Sequence, residues 1–185
     1  IEANTDVNHL AIGNATPLMA ASRFKSDQII PFLIKAGAKL NKKDIFGKTA
    51  LIWAAEKADI QTINEILKGN PDLNIKDSKG ITALIYSIKK NSLDNKEIIR
   101  VLLKKGANPN DIDEFQDNSI KIAVRTKQDN LFNDLLKAGA NPFQKGAFGF
   151  DTFSEIRSSY GADGDIYKLI LENTLPKYRP KIQED

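Results

Sequence analysis

The chain has 185 residues, is 41% hydrophobic and 28% charged, and carries a formal net charge of +3; this suits one domain or one short repeat array with a buried core, not a disordered chain. It has no Cys and one His, which excludes a disulfide framework, a thiolate nucleophile, Cys-ligated zinc or iron–sulfur centres, and any multi-His or HExxH metal site. No apolar run approaches the ~20 residues that cross a bilayer, and the mild basic balance names no partner class.

Along the chain, one period dominates. Thr16, Thr49 and Thr82 recur at intervals of 33 in Ala15-Thr16-Pro17-Leu18, Lys48-Thr49-Ala50-Leu51 and Ile81-Thr82-Ala83-Leu84. A second marker follows each: Ala36-Gly37-Ala38, Asn70-Pro71-Asp72, Gly106-Ala107-Asn108 and Gly139-Ala140-Asn141. Asn8 lies 33 before Asn41, so residues 1–10 are predicted to end a preceding repeat or N-terminal cap. Ile1 stands where a start Met is absent, and the array is expected to extend upstream. Units are then predicted over 11–43, 44–76, 77–112 and 113–145, with 146–175 as a C-terminal cap. Asn110 comes 36 after Asn74; the surplus is placed near Ser92-Leu93-Asp94. Pro176 and Pro180 stop helix propagation, leaving 176–185 as a polar tail.

Within a unit the pattern reads turn, helix, turn, helix, loop. In the second unit Asp44-Ile45-Phe46-Gly47 is turn chemistry, and Thr49 opens a helix to about Lys57. A second helix runs from Ile60 to about Lys68, with Ile63, Ile66 and Leu67 on one face. Gly37, Asn70, Gly106 and Gly139 occupy a left-handed helix stop. Ala21, Ala54, Ser87 and Ala123 keep one first-helix position small, as close stacking requires.

These two phased motifs resemble the ankyrin repeat, with its G-x-T-P-L-H-x-A-A and G-A-D-V-N pattern. Ala50 and Ala83 stand where that pattern has Pro, and Met19, Ile52, Ile85 and Lys121 where it has His. The resemblance implies an all-α fold, an ankyrin-repeat solenoid of stacked helix-turn-helix units joined by β-hairpin-like loops. It implies a non-enzymatic module that binds another protein through a concave face.

No chemistry competes with this. Gly161-Ala162-Asp163-Gly164-Asp165 lacks EF-hand and P-loop spacing and reads as a turn. His9 falls in a closing loop. Trp53 and Tyr86 read as packing between repeats, and Asp44, Asp77 and Asp113 lie one per repeat, too far apart for paired acid–base work. No cofactor, metal, small-molecule substrate or membrane is expected.

By the resemblance, partner-binding residues lie at hairpin tips and exposed first-helix positions: Arg23, Phe24, Ile45, Phe46, Lys48, Glu56, Lys57, Lys79, Lys89, Lys90, Phe115, Arg125 and Phe148. With Lys43, Lys76, Lys145, Glu114 and Asp117, the face carries ten basic and three acidic residues, a net +7 against +3 for the chain. The expected partner is therefore a protein with an acidic, partly apolar surface, which this chain would inhibit or protect. A fragment of a larger scaffold or a bacterial effector is the alternative, and nucleic-acid binding a lesser one, lacking any recognised motif. The absence of Cys and the non-Met start favour a bacterial periplasmic or secreted setting over a cytoplasmic one.

Overall fold

Each unit begins where a side-chain oxygen captures an otherwise free helix N–H. Thr16, Thr49 and Thr82 accept from the backbone N–H groups of Met19, Ile52 and Ile85 at 3.2, 3.3 and 3.3 Å. Where the Thr is lost the chemistry is kept. Asn118 accepts from the Lys121 N–H at 3.0 Å and Asp151 from the Ser154 N–H at 2.7 Å.

The computed structural model describes residues 6–91, 95–145, 151–161 and 164–173. Among these the chain forms ten α-helices and no strand, apart from one isolated antiparallel bridge between Lys145 and Asp151. The first helices of the units are α1 (Pro17–Arg23), α3 (Ala50–Lys57), α5 (Ala83–Lys90), α7 (Ser119–Arg125) and α9 (Thr152–Tyr160). The second helices are α2 (Ile30–Lys35), α4 (Ile60–Leu67), α6 (Asn95–Lys104), α8 (Phe132–Lys137) and α10 (Asp165–Asn173). Each first helix packs on the next first helix, and each second helix on the next second helix, so the core runs continuously between two rows. No helix among the described residues is long and apolar enough to cross a membrane.

The small first-helix position sits inside this seam. Ala54, Ser87 and Ala123 are fully buried and Ala21 is nearly so. Ile156 takes the same register in α9 and is also fully buried; α9 is the last of its row among the described residues, so no following helix forbids the larger side chain. The second helices end at Gly37, Asn70, Gly106 and Gly139, with φ of 87°, 53°, 95° and 86°. That left-handed turn is where Gly is unstrained and Asn tolerated.

Asparagines tie successive closing loops together. Asn41 accepts from the Asp72 N–H at 3.0 Å and Asn74 from the Asn108 N–H at 2.8 Å. Asn110 accepts from the Asn141 N–H at 2.6 Å and donates to the Gly139 carbonyl at 2.9 Å. Asn8 makes the same pair of bonds, accepting from the Lys39 N–H and donating to the Gly37 carbonyl. The tie from Asn74 spans 34 residues where those from Asn41 and Asn110 span 31. The three-residue surplus thus falls between these loops. Its expected place, Ser92-Leu93-Asp94, lies outside the described residues, as do Ala162, Asp163 and the tail from residue 174.

If close approach of the first helices holds the stack, enlarging its smallest contact should hurt. Ala54→Leu is expected to destabilise the chain by ~1–3 kcal/mol through overpacking. Urea unfolding followed by circular dichroism measures this; an unchanged midpoint would place Ala54 outside the seam.

Candidate protein-binding face

The hairpin aspartates build the face. Asp44 Oδ1 accepts the N–H groups of Phe46 and Lys48, each at 2.9 Å. Asp77 Oδ1 does the same for Lys79 and Ile81 at 2.9 Å, and Asp113 Oδ1 for Phe115 and Asp117 at 2.9 and 3.0 Å. One carboxylate oxygen thus shapes each turn, the Asx geometry that makes Asp a turn residue.

The other oxygen reaches the first helix. Asp44 Oδ2 accepts from Trp53 Nε1 at 2.8 Å, and Asp77 Oδ2 from the Tyr86 hydroxyl at 2.8 Å. Both partners lie nine residues after their aspartate. Unit four has no aromatic at that spacing, and Asp113 Oδ2 instead meets Lys89 of the preceding unit at 2.6 Å. Burial, then the bond to Asp77, raises the Tyr86 phenol above its usual range; burial and the bond to Asp129 do so for Tyr160. This aspartate–aromatic tie was missed in the sequence, although the repeated interval of nine carried it. The hairpins also bond to one another: Ile45 N–H to the Gly13 carbonyl, Ser78 to Phe46, and Glu114 to Lys79, at 2.9–3.0 Å.

Most of the basic residues on this face have internal partners. Lys48 Nζ lies 2.5 Å from Glu56 and sits over the rings of Trp53 and Tyr86, 4.3 and 4.8 Å from their centroids. Its side chain is only 13% exposed. Arg125 pairs with Asp117 and, at 2.9 Å, with Glu155. Lys76 pairs with Asp111 at 3.1 Å. Lys43 and Lys90 donate to the carbonyls of Lys76 and Glu56. Lys121, where the ankyrin pattern has His, is buried between Asp117 and Glu155.

The +7 count is corrected accordingly. It left out Asp44, Asp77, Asp111, Asp113 and Glu155, whose side chains turn onto this face. With them, and with Lys121 between Asp117 and Glu155, the balance is eleven basic against eight acidic, or +3. The cations without a carboxylate partner among the described residues include Arg23, Lys57, Lys79 and Lys90.

The apolar side chains remain open. Phe24 is 72% exposed, Phe115 62%, Ile45 61% and Phe46 54%. Ile12 is fully exposed beside them, and Leu10, Ile29 and Phe32, absent from the sequence-based set, are exposed at the same end. Phe148 lies outside the described residues. No group of three or more potential metal-binding side chains occurs among the described residues.

The stacked helix pairs have a counterpart among known proteins. The family model described as Ankyrin repeats (3 copies) matches residues 1–77 and 51–145. The chain belongs to the ankyrin repeat family. Among solved structures, an ankyrin repeat domain from Acinetobacter baumannii AYE is similar in fold, with a TM-score of 0.79 at 24% identity, over 92% of this chain and 87% of that one. No curated protein matches the chain. Ankyrin repeats are protein–protein interaction modules and in general non-catalytic. On the face of α1, α3, α5 and α7 with the hairpin tips, exposed apolar residues meet cations that have no carboxylate partner among the described residues.

Removing the Tyr86 hydroxyl leaves a buried Asp77 oxygen without its donor. Tyr86→Phe is expected to cost ~1–3 kcal/mol in urea unfolding at neutral pH. The raised phenols keep their protons in the folded state while unfolded tyrosines ionise near pH ~10, so stability present below that pH falls as pH rises above it. Tyr86→Phe should show the shallower fall; equal slopes would assign the effect elsewhere.

Proposed function

We propose that this ankyrin array binds one partner protein through the first-helix face, seating Phe24, Ile45, Phe46 and Phe115 on an apolar surface whose surroundings are acidic. The observation that carries this is the exposure of four large apolar side chains on a face that is not core. Exposed aromatics of this kind serve as anchors at interfaces. Arg23, Lys57, Lys79 and Lys90 supply the unneutralised charge. The internal ion pairs hold the rest of the face in one shape, which lowers the ordering cost of binding. Acting by covering a surface, the array would inhibit or protect its partner. Pairing of Lys48, Lys76, Lys89 and Arg125 with carboxylates favours a protein partner over the dense phosphate charge of nucleic acid.

Affinity capture followed by surface plasmon resonance at two salt concentrations tests this. Lys57→Glu with Lys79→Glu should slow association, with the defect shrinking at high salt, because exposed charges are screened within about 8 Å. Phe46→Ala or Phe115→Ala should speed dissociation by ~2 kcal/mol or more, with little salt dependence. If these variants bind like the parent while Glu65→Lys or Glu97→Lys on the second-helix side abolishes binding, the face is wrongly assigned.

A further inference from the structure

The first two hairpins border a notch. In the second unit the Lys48 side chain fills the space between Trp53 and Tyr86. The residue one period earlier is Ala15, whose methyl side chain is too short to fill the equivalent space. The space left there is a cavity of about 140 Å³, whose wall includes Ile12, Met19, Ala20, Phe24, Phe46 and Trp53. Cavities of ~150 Å³ with apolar walls take one benzene-sized ring.

Two charged groups border it, in opposite conditions. Asp44 is committed within the chain: Trp53 Nε1 and the N–H groups of Phe46 and Lys48 donate to its two oxygens at 2.8–2.9 Å. Arg23 is open. Its guanidinium carbon lies 5.0 Å from the Trp53 ring centroid and 5.7 Å from that of Phe24. These cation–π contacts use none of the guanidinium N–H donors, which make no hydrogen bond to any described residue and are free to take a carboxylate. The guanidinium has no ion pair with any described residue. The notch therefore offers an apolar floor with one unpaired cationic fork at its mouth.

We infer that this notch receives an aromatic or large aliphatic side chain of a partner protein segment in which an Asp or Glu side chain stands one or two residues away, the carboxylate pairing with Arg23. The inference rests on the protein-binding reading of the face and names what the partner presents there. Charge complementarity selects the acidic neighbour; size selects a single large apolar anchor.

The test is selection of phage-displayed random peptides on the immobilised full chain, with an Arg23→Glu chain as the counter-bait. Enriched peptides should carry an acidic residue beside Phe, Leu, Ile or Met. A synthetic peptide of the enriched sequence should lose more than about tenfold in affinity on Arg23→Glu and on Ile12→Asp. Ile12 is fully exposed, so its replacement leaves the fold intact, and circular dichroism of each variant checks this. Phe115→Ala, two units away, should leave that peptide's affinity unchanged. Amidating the peptide C-terminus should also change nothing, since the carboxylate is a side chain; a loss on amidation overturns that assignment. Peptides that are insensitive to Arg23 and Ile12 but lost on Phe115→Ala or Lys79→Glu overturn the notch while keeping the face. Peptides sensitive only to Arg100→Glu or Lys104→Glu on the second-helix side overturn both. No enrichment over the counter-bait overturns the notch.

Discussion

Everything in this chain depends on one constraint: a unit of about thirty-three residues cannot bury its own apolar faces and must bury them on its neighbours. The inner first helices show the consequence. α3 buries Ala50, Leu51, Ile52, Trp53, Ala54 and Ala55 in succession, so it has no broad solvent face and reads as apolar nearly all round. Only the end of the helix, at Glu56 and Lys57, returns to partial exposure. Close stacking requires small side chains at the crossing, and it leaves the functional surface to helix ends and hairpin tips.

Burying both sides of a thin unit also buries backbone and side-chain polar groups, which must be hydrogen-bonded or cost free energy. The chain answers with short side chains that bond locally. Thr or Asn starts a helix, Asp shapes a hairpin, and Asn links a closing loop to the next one. Asp59 combines two such tasks, capping α4 through the Thr62 N–H and accepting the Thr62 hydroxyl at 2.8 Å. The periodic sequence markers are the visible trace of these bonds. They recur because the same orphan N–H groups recur in every unit.

That explains which parts were legible. Thr16, Thr49 and Thr82, the Gly/Asn stops and the small position at Ala54 are each fixed by local backbone geometry, so the sequence displays them at a constant spacing. The start and end of α3 and α4 followed within a residue. The charge pattern of the face was not legible in the same way. Lys89 finds Asp113 twenty-four residues on, Arg125 finds Glu155 thirty residues on, and Lys48 finds Glu56 within its own unit. No single offset describes these pairs, because long flexible side chains choose among several carboxylates that only the stacking brings near. Counting residues by predicted exposure therefore separated cations from the aspartates that neutralise them.

The same pairing decides where specificity can reside. A lysine already held by a carboxylate and two aromatic rings, as Lys48 is, gains little from a partner, since any new contact must replace existing ones. Such residues set the shape of the face and keep it rigid. On the proposed reading, recognition falls to groups whose bonding capacity is unspent: the exposed Phe side chains, Ile12 and Ile45, and the few unpaired cations. These are densest on the first two units, where the notch beside Ala15 and Trp53 stays open, and sparser beyond, where Lys121 and Arg125 are committed to Asp117 and Glu155. A repeat array that is regular in its core is therefore graded along its binding face, and that gradient follows from which side chain fills each inter-unit gap.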